Sequence, residues 1–443
     1  MPLNAVNLDI FGQSPHLYGM YTQLCFLFPN DKTPRSVEAV LRVGLNRLTD
    51  YIPWIGGNVV MSKTGCYVVQ FSGDCPGLLV KNLTTILPGY SEMRQAGFPF
   101  SMLDEKVIAP HPTLSQEDHE SMPVFVVQAN FVKSGLLFVF NAQHNCMDLG
   151  GQVQLIELFS RACRGESFNH TEREAANLVS FQLETTSILR TKYNTGPRTT
   201  SESRNDAQSA QDTEIPYEDI WAYFHVSATS LHRLKQLASH DRFTEYISTD
   251  DALSALLWQA VLRSRQCRID LKTTTSNFQR QVNARTHVGA PAGYLGNMVY
   301  TSRTILPLID MLEKSLGQLA SHLRESLNPD PSIKCRMQHA ATSLQAEMNN
   351  KRHAQASTRP RLSPTDIKLS SWAQERCCDL DLGAEIGKPE AVRRPSFEAW
   401  AGLAYFMPKD SDGSIAVAMC LREDDLARLR SDEEFCGFCT YVG

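Results

Sequence analysis

The 443-residue chain holds no apolar run of the roughly 20 residues that cross a bilayer. Its start, Met1-Pro-Leu-Asn-Ala-Val-Asn-Leu-Asp-Ile-Phe, lacks the basic head and apolar core of a secretory signal. Membrane insertion and export are therefore not expected, and a reducing, cytoplasmic setting is. An excess of basic residues is also missing: 43 Lys and Arg against 48 Asp and Glu give a net charge of -5. Such a surface has no general affinity for nucleic acid or an anionic membrane, so any anionic ligand needs a local basic patch. The twelve cysteines run from Cys25 to Cys439 and lack the density of a disulfide-stapled domain. Cys377-Cys378 and Cys436-Gly-Phe-Cys439 stand without a second pair to complete a zinc site, and read as structural thiols. No internal repeat of fixed period is present.

The chain is long enough for two domains. In the first half, a strand at 17–28 precedes a helix at 35–51 whose Val37, Leu41, Leu45 and Leu48 share one face. Pro53 stops that helix, and Gly56-Gly57 releases the chain into strands at 58–62 and 66–72. A hairpin at 123–142 turns at Lys133-Ser134-Gly135 and leads to a helix at 153–163, with another at 172–193. Residues 194–216 are rich in Ser, Thr, Asn, Asp and Arg and nearly free of large apolar side chains, so they cannot bury enough surface to fold alone. The expected division is a lobe at 1–193, a polar linker at 194–216 and a lobe at 217–443. A similar polar stretch, 349–364, reads as a surface loop. The second half shows strands at 217–226, 273–283, 293–300, 397–407 and 414–421. Its helices fall after Ser227, from Thr249, and at 306–327, 333–348 and 423–433. Mixed α and β content in two similar halves is the α/β (α+β) reading.

Between the hairpin and the helix at 153–163 lies His144-Asn-Cys-Met-Asp148, where a buried strand runs out into a short turn. An imidazole with an ordinary pKa of about 6.5 is largely neutral near pH 7 and can accept a proton from a hydroxyl or amine. An Asp four residues on can fix the local backbone by side-chain hydrogen bonding or by pairing with an Arg. The spacing alone also occurs by chance. No third His, Cys or carboxylate stands at ligand distance nearby, so no metal is expected. Cys146, between the two, is more simply a packing residue than a nucleophile.

Several further segments occur in the order typical of one family. With His144-Asn-Cys-Met-Asp148 go Tyr51-Ile-Pro-Trp54-Ile-Gly-Gly57, Ser248-Thr249-Asp-Asp-Ala-Leu-Ser-Ala-Leu-Leu-Trp258, Val282-Asn-Ala-Arg285, Tyr294-Leu-Gly-Asn297 and Asp381-Leu-Gly-Ala-Glu-Ile-Gly-Lys-Pro389. Together they span almost the whole chain. The sequence resembles the acyl-CoA-dependent acyltransferases with a His-x-x-x-Asp motif, the BAHD enzymes, and is most similar to their fungal trichothecene 3-O-acetyltransferase branch. Two departures stand out. Leu382 replaces the usual Phe of the late motif, with two extra residues before Gly387. Gln143 stands where the related peptide-synthetase condensation domains have a second His.

The resemblance implies two chloramphenicol-acetyltransferase-like lobes with a channel at their interface, His144 as general base, and direct transfer without an acyl-enzyme. It implies acetyl-CoA as donor, a small-molecule alcohol of fungal secondary metabolism as acceptor, no metal, no nucleic-acid or membrane partner, and a monomer. Asp148 then holds the turn with Arg285 as candidate partner, the alternative being an Arg285 that faces solvent. Asn297, with Gly296, is a candidate oxyanion donor or a turn-stabilising residue. Asp381 is a loop support. Ser248, Thr249, Ser254, Lys388, Arg393 and Arg394 are candidates for the coenzyme A phosphates, or plain surface polarity. Two other readings use the same scaffold: transfer from a carrier protein or acylation followed by elimination, and a non-catalytic binding protein.

Overall fold

A computed structural model describes residues 4–115, 120–181, 183, 217–272, 274–329, 331–349 and 362–443. The expected linker at 194–216 and most of the loop expected at 349–364 lie outside those residues, and the helix expected at 172–193 is His170–Asn177, with 178–181 non-helical and 184–193 outside the described residues.

Near-continuous apolar runs make the central strands of the first lobe, because strands covered on both faces need no polar alternation. Tyr21–Pro29 and Gly135–Gln143 pair antiparallel from Tyr21↔Gln143 to Pro29↔Gly135, and Phe125–Val132 and then Gly77–Asn82 extend the sheet. Phe138 and Phe140 meet Phe159 on one face, which seats the helix Leu149–Cys163 there beside the helix Pro34–Tyr51. Thr33 caps that second helix by accepting from the Ser36 amide at 3.2 Å, and Val37, Leu41, Leu45 and Leu48 are its buried side. Cys25, Leu27, Leu137 and Val139 fill the opposite face with Tyr90, Met93 and Ile108.

The second lobe is one seven-stranded sheet in the order Val299–Pro307, Thr275–Asn283, Ile367–Ser371, Leu403–Phe406, Ile415–Arg422, Asp219–Val226, Thr440–Tyr441. Alternation sorts its faces. Phe224, Phe278, Leu369, Phe406, Val417 and Met419 point to the helices Ala228–His240, Thr249–Arg265 and Leu316–Glu325. Tyr223, Ala416 and Ala418, on the other face, belong to the core of the first lobe, where Tyr223 stacks on Phe100 at 4.0 Å between centroids. That second face is the junction.

One strand crosses between the halves. Ala391–Arg393, from the C-terminal half, pairs antiparallel with the first lobe's Tyr21–Pro29 as Ala391↔Leu27, Val392↔Phe26 and Arg393↔Cys25. Nothing in the three residues' pattern marked them as a strand. Elsewhere the strand expected at 293–300 begins only at Val299, and the helix expected at 306–327 is two, Leu308–Glu313 and Leu316–Glu325. Ser315 caps the second of these and so interrupts the helix.

Candidate active site at the lobe junction

The strand Gly135–Gln143 is buried along its whole length and delivers His144 to the junction, where the His144 amide donates to the Met20 carbonyl at 2.8 Å. The ring keeps part of its surface accessible although it lies deep between the lobes. Burial lowers its pKa from the ordinary 6.5 and the nearby Lys368 ammonium acts in the same direction, against opposing effects of its own carbonyl, Asp148 and Asn297. The neutral ring, the form that can take a proton, is the favoured one. Its Nδ1 is shielded from solvent and has no well-formed partner, leaving Nε2 as the nitrogen for a substrate.

Asp148 does not reach toward the ring. It caps the helix Leu149–Cys163 by accepting from the Gly151 amide at 2.9 Å, and accepts from the Met298 amide of the second lobe at 2.8 Å. Both oxygens take the Arg285 guanidinium, at 2.8 and 3.1 Å. Arg285 also donates to the carbonyls of Tyr294 at 2.8 Å and Gly296 at 2.6 Å. The pair is buried on both sides, so each charge is matched where water cannot do it. Arg285 therefore faces the turn and not solvent. Gly151 makes the contact possible: a Cβ there would sit 1.8 Å from the Leu295 carbonyl oxygen.

Asn297 is placed differently from an oxyanion donor. Its Nδ2 donates to the carbonyls of His144 at 2.7 Å and Asn145 at 2.9 Å, which uses both protons and clasps the His144 turn from the opposite lobe. Gly296 spends its carbonyl on Arg285, and a Cβ on it would meet the Tyr294 hydroxyl at 2.1 Å. Behind them Asp9, which nothing in the sequence singled out, accepts from the Tyr294 hydroxyl at 2.6 Å and the amides of Asn297 and Gly12 at 3.0 and 2.7 Å. Burial pushes its carboxyl up to about 6. Asp381 accepts from the Gly383 amide at 2.8 Å, and its carbonyl takes Arg164.

The candidates for the donor phosphates scatter. Arg393 is buried and forms a two-pronged pair with Asp410, both bonds 2.9 Å, so it cannot serve a phosphate. Arg394 is buried too, its guanidinium 4.2 Å from the Phe397 centroid and 4.9 Å from that of Tyr405. The basic cluster expected there does not exist as a surface: the residues that look alike in sequence are consumed by a carboxylate and by aromatic faces. Ser248 is engaged with Asp251 in a capping box, and Ser254 is fully buried. Thr249 retains partial exposure and Lys388 is exposed. Among the described residues no cluster of His, Cys, Asp and Glu could hold a metal ion. Desolvation holds the Cys146 thiol well above its ordinary value, unsuited to nucleophilic attack.

A cavity of about 750 Å³ is bordered by Tyr21, Glu105, His111, Met122, Phe397 and Glu398 among others, and no residue of 143–148 lines it. Tyr21 is the strand partner of Gln143, one residue from the histidine. Asp104, Glu105 and Glu398 outnumber Lys106 on its wall.

Residues 20–163 match the trichothecene 3-O-acetyltransferase-like N-terminal domain. Over 99% of its length the chain is 39% identical to an O-acetyltransferase of Cryptosporiopsis sp., covering 98% of that protein. It is 36% identical to the trichothecene 3-O-acetyltransferase of Fusarium sporotrichioides, with 99% and 97% covered. The crystal structure of the latter with coenzyme A and T-2 superposes with a TM-score of 0.87, at 35% identity over 99% of this chain and 100% of that one. Vinorine synthase shares the fold at a TM-score of 0.65 and 14% identity, covering 99% of this chain and 98% of that one.

Proposed function

Because the chain belongs to the trichothecene 3-O-acetyltransferase branch of the BAHD acyltransferases, we propose that His144 is the general base with which it moves an acetyl group from acetyl-CoA to a metabolite hydroxyl. The protein is an acyl-CoA-dependent O-acetyltransferase of fungal secondary metabolism. Neutral Nε2 of His144 takes the hydroxyl proton as the oxygen attacks the thioester carbonyl. The tetrahedral intermediate collapses with cleavage of the C–S bond, and the imidazolium returns the proton to the sulfur, releasing the ester and the CoA thiol. No covalent enzyme intermediate is needed.

The observation that carries the reading is the clasp on the catalytic turn: Asn297 holds the His144 carbonyl while Arg285 and Asp148 lock the turn across the lobes. A base so fixed needs no reorganisation before transfer. The acceptor enters through the cavity beside Tyr21, since an acidic wall repels the phosphates of coenzyme A and leaves the donor the other approach. Thr249 and Lys388 remain donor-side candidates, and the protein acts as a cytoplasmic monomer.

The test is release of CoA thiol from acetyl-CoA with deoxynivalenol, one of the alcohols bound by a structural relative, and a panel of other metabolite alcohols. His144→Ala should lower kcat by about 10²–10⁴-fold with the fold intact. Undiminished turnover by that variant would remove the histidine from the chemistry.

A further inference from the structure

The cavity of about 750 Å³ has a buried carboxylate without a counter-charge in its wall. Among the described residues the buried acids are Asp9, Glu105, Asp148, Asp251 and Asp425. Arginine pairs with Asp148, Asp251 and Asp425, and Asp9 is closed in by Tyr294 and two amides. Glu105 is the one of these that lines the cavity, and among the described residues no cation lies within ion-pair distance of it. The Gln23 side-chain amide and the Thr113 backbone amide donate to it at 3.0 and 2.6 Å, both at Oε2, with the Thr113 hydroxyl beside the carboxyl. Neutral donors solvate the charge without cancelling it. Arg394 acts only from farther off, its guanidinium held against Phe397 and Tyr405, and burial still raises the Glu105 pKa from 4.5. A carboxylate so placed is costly unless a cation comes to it.

The rest of the wall has the same character. The Glu105 amide donates to the Ser396 carbonyl at 3.2 Å and the Ser396 amide to the Leu103 carbonyl at 2.8 Å. That bridge between the halves fixes Glu398, two residues on, in the same lining as Glu105. Asp104 and Glu398 are exposed carboxylates of the rim, set against Lys106. Tyr21 and His111, stacked with centroids 5.3 Å apart, add aromatic rings. Carboxylates beside aromatic rings suit an organic cation, and the volume suits a small molecule. A metal ion does not fit, since no cluster of acids and histidines among the described residues could hold one. We propose that the cavity is a subsite for a protonated amine borne by the acceptor, which makes the substrate class an alkaloid-type amino alcohol, with Glu105 taking the ammonium and Glu398 drawing it in. This rests on the entry of the acceptor past Tyr21. No residue of 143–148 lines the cavity, so the amine is held there while the hydroxyl extends past Met20 and Tyr21, where the Met20 carbonyl takes the His144 amide.

Isothermal titration calorimetry on the full chain compares a dimethylaminocyclohexanol, protonated at neutral pH, with the isopropylcyclohexanol in which CH replaces the nitrogen. The amine should bind about tenfold more tightly, or better. Glu105→Gln should bring the two alcohols within about twofold of each other. It should also fold, because the bonds from Gln23 and Thr113 share one oxygen and a Gln carbonyl can accept both. Glu398→Lys, at an exposed position, should weaken binding of the amine and leave that of the isopropyl compound unchanged. Equal affinities in the wild type would overturn the proposal, as would a preference that survives in Glu105→Gln of native circular dichroism. Should that variant not fold, an amine affinity unaltered in Glu398→Lys overturns it instead. Release of CoA thiol from acetyl-CoA, read in parallel, separates the two readings. A preference for the amine without transfer to either alcohol counts against the proposed function, and transfer without that preference counts against the subsite alone.

Discussion

The role proposed for His144 is set by what its neighbours leave it free to do. His144 has its backbone bonded on both sides, by Met20 and by Asn297, and its ring is desolvated beside a cation. A histidine whose pKa is lowered is deprotonated over more of the pH range, so the base is ready above that pKa and is lost as the pH falls through it. The profile of kcat/KM should therefore be flat through neutrality, with its acid midpoint below the ordinary 6.5 of histidine. Measurement across that range with saturating acetyl-CoA checks it, and a midpoint above 6.5 would contradict the direction of the shift. Asn297 shows how far residue identity alone carries. An Asn after Gly in a loop fits an oxyanion donor as well as a clasp, and only the positions of the His144 and Asn145 carbonyls decide between them.

At the scale of elements, the best legible parts were those with strong periodicity and end signals. The helix Pro34–Tyr51 agrees with the reading from Val37, Leu41, Leu45 and Leu48 to within a residue at its start. The hairpin before His144 follows from two apolar runs and a Ser-Gly turn, whereas the helix expected at 153–163 begins earlier, at Leu149, because Asp148 caps it. The break at Ser315 was missed in the single helix expected at 306–327, although Ser315-x-x-Gln318 is a capping box inside the apolar pattern. Tyr294 to Met298 was not legible: its buried apolar residues look like a strand, but they dock against the helix Leu149–Cys163 instead of joining a ladder. That docking gives a prediction. Gly151→Ala drives a methyl group into the Leu295 carbonyl, and should cost about 1–3 kcal/mol or more. It should also lower kcat by displacing Asn297, with thermal melting and steady-state kinetics as the two measurements. A variant of wild-type stability and rate would show that the second lobe gives way at no cost.

For the molecule as a whole, the pair Arg393–Asp410 is where sequence reading and structure part most clearly. Two adjacent arginines near a family motif invite a phosphate, but a buried bidentate pair is a fixture of the fold. Arg393→Met should lower the melting temperature and leave the apparent KM for acetyl-CoA within about twofold. Removal of one partner from a buried pair costs about 3–5 kcal/mol. A raised KM at unchanged stability would return Arg393 to the donor site. Pairings between more distant parts of the chain have no local signature either, as with Arg285 and Asp148, 137 positions apart, or Asp9 and Tyr294, 285 apart.

The borrowed strand Ala391–Arg393 has a practical corollary for anyone dissecting the enzyme. Expressed by itself, a fragment ending before 194 would present Cys25–Leu27 as a raw sheet margin, its backbone amides and carbonyls open to any other strand. Such a piece would clump. A backbone nick within 194–216, made after folding, would by contrast leave both fragments stitched together, so co-production of the halves, and not isolated domains, is the route to a split acetylation reporter.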